Sequence, residues 1–293
     1  MKKSYLLLIV AALCFSILLP RELFSQAKDT NIKYAGARSS NYGIKPFPSK
    51  EEWKSALYSM HEKFEGSIPT AIWIVGVMRG SENMYLEFPS DGKEVKNVIF
   101  AEEDKHEPYL KYFDENGIKV FLQVESANAD MLEVIDLVLN RYKHHPCVIG
   151  FGVDVEWYRV KDNPETGMKI SDEVAEQWEK KVKEHNPDYK IFLKHWDYLW
   201  MPPKYRGDIV FVDDSQMLES FDAMVAEFKN TWAANFFPNT VIFQIGYKAD
   251  KPWWQNFQDP PKYMGEKIAE AIKGHECGII WVDFTLKDVV PVK

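Results

Sequence analysis

The chain has 293 residues and a formal net charge of −8 at neutral pH, with 46% hydrophobic and 14% aromatic residues. No basic stripe runs along it, which disfavours nucleic acid as a partner. Its three cysteines form neither a Cys-x-x-Cys motif nor a Cys/His cluster, so a structural zinc site is also disfavoured.

The first 27 residues have the layout of a secretory signal peptide. Two lysines precede an apolar run over residues 5–19, and a polar stretch follows that ends at Ala27. The apolar run is too short to favour a membrane-spanning helix. We expect residues 1–27 to be removed, leaving a secreted or periplasmic chain that is not bound to a membrane. Because the removed segment carries a net charge of +2, the mature chain would have a net charge of about −10.

Helical and strand-like patterns alternate along most of the remaining chain. Residues 28–47 are polar, with scattered Gly, Pro and Ser, and predict an irregular N-terminal lead. Ser49 and Glu52 form a capping-box pattern, which predicts a helix that reaches about residue 64. From residue 70 onward, continuous apolar runs typical of buried strands are separated by helical periodicity. The expected strands are 70–77, then 84–88 or 98–100, then 119–126, 147–157, 190–196, 208–213, 240–247 and 278–284; the later helices are 108–116, 130–142, 172–185, 220–232 and 261–273.

About eight strands alternating with helices predict a fold of the α/β class, a single (β/α)8 TIM barrel. The predicted organisation is a signal peptide at 1–27, an N-terminal lead and helix at 28–65, and a catalytic barrel at 66–293. A doubly wound open sheet is the alternative, but the segment after the first strand is a poor version of a glycine-rich phosphate turn. Cys147 and Cys277 begin the predicted fourth and eighth strands, on opposite sides of a barrel, so we expect two free buried thiols.

The segment 148–157 begins as an apolar strand and ends in two acids, Asp154 and Glu156. Side chains alternate faces along a strand, so both acids would share a face with Gly150 and Gly152. We interpret the acids as a catalytic pair at the barrel mouth, with the glycines leaving space for a substrate ring. The structural alternative is a solvated strand end or a buried ion-pair network.

Polar and aromatic residues follow most of the predicted strands, at the end of the barrel where chemistry is found. Taken one at a time, some have a structural alternative: Glu125 as a partner of Lys194, His195 as a satisfied core histidine, and Asp213 or Asp214 as a helix cap. The candidate catalytic residues are Glu156 and Asp154, with Glu125 or Asp213 as the second carboxylate across the cleft; the candidate substrate-binding residues are Trp157, His195, Trp196, Gln216, Gln244, Tyr247, Trp281 and Asp283.

Other chemistries lack their residues in this sequence. Of seven histidines only His195 ends a predicted strand, and His144 and His145 lie at the opposite end, so we expect no metal or cofactor in the site. No strand-turn-helix elbow presents a nucleophilic Ser or Cys. What remains is acid/base chemistry by carboxylates in an aromatic cleft, the combination that glycoside hydrolysis requires.

The acids Asp154 and Glu156, followed by two aromatic residues, resemble the strand-four signature of glycoside hydrolase family 18, the chitinase and endo-β-N-acetylglucosaminidase group. Trp281 stands where that family keeps a Trp under the bound sugar. In place of the two earlier acids of the signature this chain has Ile149 and Gly152, and its strand six lacks the family's Tyr-Asp ending. The Asp-x-Glu pair is also similar, more weakly, to family 25 lysozymes.

The resemblance implies a secreted glycoside hydrolase that cleaves a polysaccharide or glycan. In that mechanism Glu156 would be the general acid and Asp154 would orient or support the reacting sugar. The alternative class is a non-catalytic glycan-binding barrel, although such a protein would not need to retain the Asp-x-Glu pair. We expect an oligosaccharide or polysaccharide as the partner and a monomeric chain.

Overall fold

The core of the molecule is a closed barrel, seen in a computed structural model that describes residues 30–80, 82–161 and 166–290. The predicted signal peptide lies outside these residues. The described strands are β1 Ile32–Ser39, β2 Ile68–Arg79, β3 Asn83–Leu86, β4 Val98–Phe100, β5 Lys119–Glu125, β6 Val148–Asp154, β7 Lys190–His195, β8 Ile209–Asp213, β9 Val241–Ile245 and β10 Cys277–Trp281.

Eight of the described strands run parallel and close on themselves. Their order is β1-β10-β9-β8-β7-β6-β5-β2, and β1 also pairs with β2. The two remaining strands extend the end of β2, because β3 pairs with it in antiparallel fashion and β4 pairs with β3. The predicted (β/α)8 TIM barrel is therefore confirmed.

Helices connect the barrel strands and cover their outer face. The described α-helices are α1 Lys50–His61, α2 Glu107–Glu115, α3 Met131–Tyr142, α4 Asp172–His185, α5 Phe221–Glu227, α6 Ala234–Phe236, α7 Lys251–Trp254, α8 Pro260–Ala271 and α9 Leu286–Val289. The predicted capping box of α1 is present: the Glu52 amide donates to Ser49 Oγ, and the Ser49 amide donates to the Glu52 carboxylate. Between α5 and α6 the chain forms a π-helical segment, Phe228–Ala233.

Apolar side chains fill the lower part of the barrel. The two predicted cleft glycines serve this packing, because a Cβ at Gly152 would lie 2.0 Å from the Phe192 ring and a Cβ at Gly150 would lie 2.8 Å from the Phe121 ring. The expectation that they clear space for a substrate ring is therefore wrong. The interior side chains are Tyr34, Ile72, Phe121, Phe192, Val210, Val212, Ile242 and Ile280.

Three predicted boundaries are corrected. The predicted irregular lead contains β1, a full barrel strand with a run of buried residues. The predicted second strand at 84–88 corresponds to β3, which lies outside the closed barrel. The fourth barrel strand ends at Asp154 rather than Trp157, because Val155–Trp157 is a turn of 3₁₀ helix.

The predicted state of the cysteines is confirmed for the described residues: Cys147 and Cys277 are both free and buried. Cys14 lies outside the described part of the chain.

Within the described ranges, no helix has the length and apolar character needed to cross a lipid bilayer.

Candidate active site

The carboxyl ends of three adjacent strands place two acids and one base in a row. Glu125 on β5 is the register partner of Asp154 on β6, which in turn is the partner of Lys194 on β7. By strand alternation all three lie on the inner face. Lys194 is the next inward-facing residue after Phe192, and Glu125 is the second after Phe121, with Gln123 between them. All three are buried, so the row forms the floor of a polar site at the carboxyl end of the barrel.

Lys194 is the central cation of this site. Its Nζ lies 2.7 Å from Asp154 Oδ2 and 2.5 Å from Asp214 Oδ2. Burial alone lowers the pKa of Lys194, but the carboxylates of Asp154 and Asp214 outweigh it and hold this pKa well above its usual value. Lys194 therefore keeps its charge and compensates for the burial of its two acidic partners.

Asp154 is as deeply buried as its partner Lys194. Burial raises the pKa of Asp154 well above its ordinary value; the ammonium of Lys194 opposes this rise, and the carboxyls of Glu156 and Asp214 add to it. Its Oδ1 atom is buried and has no hydrogen-bond partner among the described residues. Asp154 is thus held in place through one oxygen, and the other retains its hydrogen-bonding capacity.

Glu156 differs from the other acids because its side chain is only half-buried. It lies on the 3₁₀ turn after β6, and among the described residues no hydrogen bond contributes to its electrostatic environment. Burial raises the pKa of Glu156 to about 7, with contributions in the same direction from Asp214 and Glu125 and an opposing one from Lys194. At neutral pH this carboxyl can therefore both donate and accept a proton.

Glu125 is fixed in place from two sides. Tyr42 donates its hydroxyl to Glu125 Oε1 at 2.7 Å, and the Met78 amide donates to Oε2 at 2.7 Å. These two contacts hold the Glu125 carboxyl in one orientation beside Asp154.

A buried ion pair links the first and last barrel strands beside Glu125. The Arg38 guanidinium donates to Asp283 Oδ1 at 2.8 Å and to the Tyr42 hydroxyl at 3.1 Å, and Ser40 donates to Asp283 Oδ2 at 2.6 Å. Asp283, a predicted substrate ligand, has both oxygens engaged within the protein and is buried. Asp283 is therefore placed to orient Arg38 and, through Arg38, the Tyr42 hydroxyl.

Two predicted binding residues, Gln244 and Tyr247, stand behind Asp214. The Gln244 amide donates to the Tyr247 hydroxyl, which lies 3.4 Å from Asp214 Oδ2. Gln123, on β5, has both side-chain polar atoms buried without a partner among the described residues. These groups line the polar layer and retain hydrogen-bonding capacity towards a polar ligand.

Asp213, the alternative second carboxylate, lies on the outer side of the barrel wall. Its Oδ1 accepts the Ser215 amide at 2.8 Å, and its neighbour is the carboxyl of Glu227. Glu227 Oε1 in turn accepts the Ser215 hydroxyl at 3.0 Å and the Trp232 indole at 3.2 Å. Because consecutive residues face opposite sides of a strand, the acid that enters the site is the next one, Asp214.

The tryptophans divide into accessible and buried groups. Trp196 is 45% exposed at the end of β7, and Trp157 is half-buried beside Glu156. Trp281, expected beneath a sugar, has no exposed surface; it packs edge-on against Trp254 and donates to Thr285. Trp281 is therefore a wall residue, and Trp157 and Trp196 have surface that a sugar could reach.

The remaining two predicted ligands have contrasting environments. His195 is buried and stacked on Trp200 with ring centroids 4.6 Å apart, and its Nδ1 accepts the Asp197 amide at 2.7 Å. Burial lowers the pKa of His195 to about 4, so the ring stays neutral at physiological pH. His195 is thus a core residue, but its Nε2 is buried without a hydrogen-bond partner among the described residues, so it is not the fully satisfied histidine of the structural alternative. Gln216 is exposed on the loop after β8.

Sequence reasoning missed the contributions of β1. Arg38 and Tyr42 lie in the segment predicted to be irregular, and their contacts with Asp283 and Glu125 depend on strand closure between β1 and β10. The available signal was the polar run 38–42 directly after a short apolar stretch, the same pattern that marked the other strand ends.

Comparisons with known proteins give likeness in structure only. No protein-family profile matches the chain, and no curated protein matches it in sequence. A crystal structure described as a candidate alpha-L-fucosidase from Bacteroides thetaiotaomicron aligns with 94% of this chain and 91% of its own, at 14% identity and a TM-score of 0.54. This likeness supports the fold.

Two weaker structural matches are also named as enzymes that act on sugars. An endocellulase from Pyrococcus horikoshii aligns over 86% of this chain and 84% of its own, at 13% identity and a TM-score of 0.48. A beta-glucuronidase from uncultured Clostridium sp. aligns over 60% and 35%, at 12% identity and a TM-score of 0.41. The structural neighbours are thus glycoside hydrolases, and none of them points to family 18 or family 25 in particular.

Proposed function

We propose that this protein is a glycoside hydrolase in which Glu156 is the general acid and Asp214, Asp154 and Glu125 stabilise the positive charge of the transition state. The observation that carries the proposal is the convergence of Asp154, Asp214 and Glu156 around Lys194, with Glu125 beside Asp154. Among these four acids, Glu156 alone is only half-buried.

The chemistry follows from the state of each group. Glycosidic cleavage needs a proton on the departing oxygen and negative charge near the ring carbon that becomes electron-deficient. Protonated Glu156 supplies the proton, and its carboxylate then accepts one from the incoming water. Asp214 is the proposed second carboxylate, because it enters the site from β8 and Lys194 holds it in place.

The charge balance of the site suits a cationic transition state. Arg38 is matched by Asp283, and Lys194 neutralises only one of the acids near it. With Glu156 protonated, at least one negative charge remains in excess. Fixed charges in a partly desolvated site stabilise developing charge more strongly than water does.

Product release from a panel of glycans, measured as new reducing ends, tests this function. Glu156→Gln preserves shape and removes the acid, so kcat should fall by about 10²–10⁴-fold while glycan binding and the thermal midpoint stay unchanged. Glu219→Gln, an exposed acid on the loop after β8, is the matched control and should retain full activity.

Two outcomes would contradict the proposal. Saturable glycan binding with no reducing ends released by the wild-type protein would indicate the non-catalytic alternative, a glycan-binding barrel. A folded Glu156→Gln variant with full activity would remove Glu156 from the mechanism.

A further inference from the structure

A second cluster of ionisable side chains lies at the opposite end of the barrel. Glu107 is the first residue of α2, and His144 and His145 lie in the loop that leads into β6. His145 Nε2 is 3.1 Å from Glu107 Oε2, and His144 Nε2 is 3.7 Å from Glu107 Oε1. Three potential ligand atoms, one from each residue, lie within 4.8 Å of one another.

These separations match the edge lengths of a metal coordination sphere. Zinc binds imidazole nitrogen at about 2.0–2.1 Å and carboxylate oxygen at about 2.0–2.2 Å, in a tetrahedral arrangement. Two ligand atoms on such an ion lie roughly 3.3–3.5 Å apart. The two observed distances lie on either side of this value, but they end on different oxygens of Glu107, Oε2 for His145 and Oε1 for His144. Both histidines could therefore bind one ion that Glu107 holds through one or both oxygens, after small side-chain adjustments.

Asp114 holds His145 in the orientation that such a site requires. Asp114 Oδ2 lies 2.6 Å from His145 Nδ1, and Asp114 Oδ1 accepts the Cys147 amide at 2.8 Å. A carboxylate on the far ring nitrogen fixes the tautomer that leaves the near nitrogen free to bind a metal, and it makes that nitrogen more basic. Asp114 is not one of the three ligands, but its contact with Nδ1 directs His145 Nε2 towards Glu107.

An overlapping cluster of Asp114, His145 and Cys147 fits a metal less well. The 2.6 Å separation of Asp114 and His145 is a hydrogen bond and is too short for the edge of a coordination sphere. The Cys147 thiol is buried and lies 3.5 Å from the Leu110 carbonyl, to which it donates. The ligand set is therefore the one that faces solvent.

We propose that Glu107, His144 and His145 form a binding site for a divalent transition-metal ion of the zinc class, with water completing the coordination. The ion would tie the start of α2 to the loop that begins β6, the strand that ends in Asp154. Its effect would be on stability, since the site lies at the end of the barrel away from Glu156. This arrangement differs from both a Cys-rich zinc motif and a set of histidines at strand ends, the two metal-binding patterns that the sequence lacks.

Metal titration of the whole protein, purified without a histidine tag and stripped with a chelator, tests this site. Calorimetry with Zn²⁺ should show one ion per chain, and Co²⁺ should give the visible absorption of a tetrahedral site. At about 100 times the dissociation constant, Zn²⁺ should raise the thermal midpoint by roughly 5–10 °C.

The variants separate this site from other surface histidines. His144→Ala and Glu107→Gln each remove a ligand with an exposed side chain, 59% and 46% exposed respectively, and should weaken binding at least tenfold. Asp114→Asn should weaken it by about 10–100-fold. His61→Ala, which alters a partly buried histidine bonded to Ser67, is the control and should bind Zn²⁺ as the wild type does.

The proposal fails if the wild-type protein shows no saturable binding below millimolar Zn²⁺, or if His144→Ala and Glu107→Gln bind as tightly as the wild type. Because both changed side chains are exposed, we expect both variants to fold, and circular dichroism can verify this. The result does not depend on glycoside hydrolysis, since no step of the measurement uses a glycan.

Discussion

Two buried carboxyl clusters lie on opposite sides of the same barrel wall. Inside the barrel, Asp154 and Asp214 share Lys194 and are joined by the half-exposed Glu156. Outside, Asp213 lies against Glu227, and burial raises the pKa of both. The comparison teaches that a raised carboxyl pKa does not by itself mark a catalytic group. What distinguishes the inner cluster is the buried cation of Lys194, because Glu227 in the outer cluster is half-buried just as Glu156 is.

The outer cluster has the features of a proton-sharing structural pair. Asp213 Oδ2 and Glu227 Oε2 are buried and have no hydrogen-bond partner among the described residues. Two adjacent carboxyl groups with raised pKa values favour a state in which one of them is protonated, because ionising both is costly. This pair ties the loop after β8 to α5, while Asp214 one residue later enters the active site.

The largest expected effect comes from removal of the inner cation. Lys194→Met leaves two buried carboxyl groups without their partner, which should lower the free energy of unfolding by about 3–5 kcal/mol. Lys190 lies on the same strand as Lys194 and forms a partly exposed ion pair with Asp208. Lys190→Met should lower the free energy of unfolding by less than about 1 kcal/mol. Chemical denaturation measures both, and equal losses would show that the inner cation has no special role.

The next largest effect is a difference in kcat between variants of two adjacent acids, Asp213 at the end of β8 and Asp214 in the loop that follows. In the proposed mechanism Asp214→Asn removes a charge that would face the reacting sugar, so it should lower kcat by roughly 10²-fold. Asp213→Asn should leave kcat within a factor of about three, because an amide can replace the protonated acid beside Glu227. Steady-state rates with the same glycan measure both variants. A larger loss in Asp213→Asn would reverse the assignment of the two acids.

The smallest effect is on the pH profile. Since Glu156 must be protonated to act, kcat/KM should fall as the pH rises through about 7. In Asp214→Asn this alkaline limb should move to lower pH, because Asp214 is the neighbouring charge that raises the pKa of Glu156 most after burial. In Asp213→Asn the limb should not move. A wild-type alkaline limb that Asp214→Asn leaves unchanged would argue against Glu156 as the titrating group.

Much of the barrel is predictable from the sequence because seven of its strands are continuous apolar runs buried on both faces. The missed strand, β1, mixes Lys33, Arg38 and small residues, so its burial becomes evident only when β2 and β10 pair with it on both sides. The predicted number of barrel strands is still eight, because the prediction counts β3 in place of β1.

The sequence predicts which strand ends carry the candidate site, but it predicts less well which way each side chain points. Asp213 and Asp214 are adjacent, and the choice between them depends on the register that places Val210 and Val212 inside the barrel. The environment of Trp281 depends on Trp254, which lies on α7 and is brought against it by the tertiary fold rather than by a local pattern. The space beside Gly150 and Gly152 is likewise occupied by rings from neighbouring strands.

Dependence on the leaving group tests the central assignment of Glu156 most directly. A general acid matters most when the departing oxygen is strongly basic, and an acidic phenol leaves without a proton. Aryl glycosides of the sugar identified by the glycan panel, with phenols of decreasing pKa, would be compared in the wild-type protein and in Glu156→Gln. The account predicts a loss in kcat/KM of about 10²–10⁴-fold for poor leaving groups that shrinks towards none for the most acidic phenol. A loss of the same size across the whole series, in a folded variant, would contradict the role of Glu156 as proton donor.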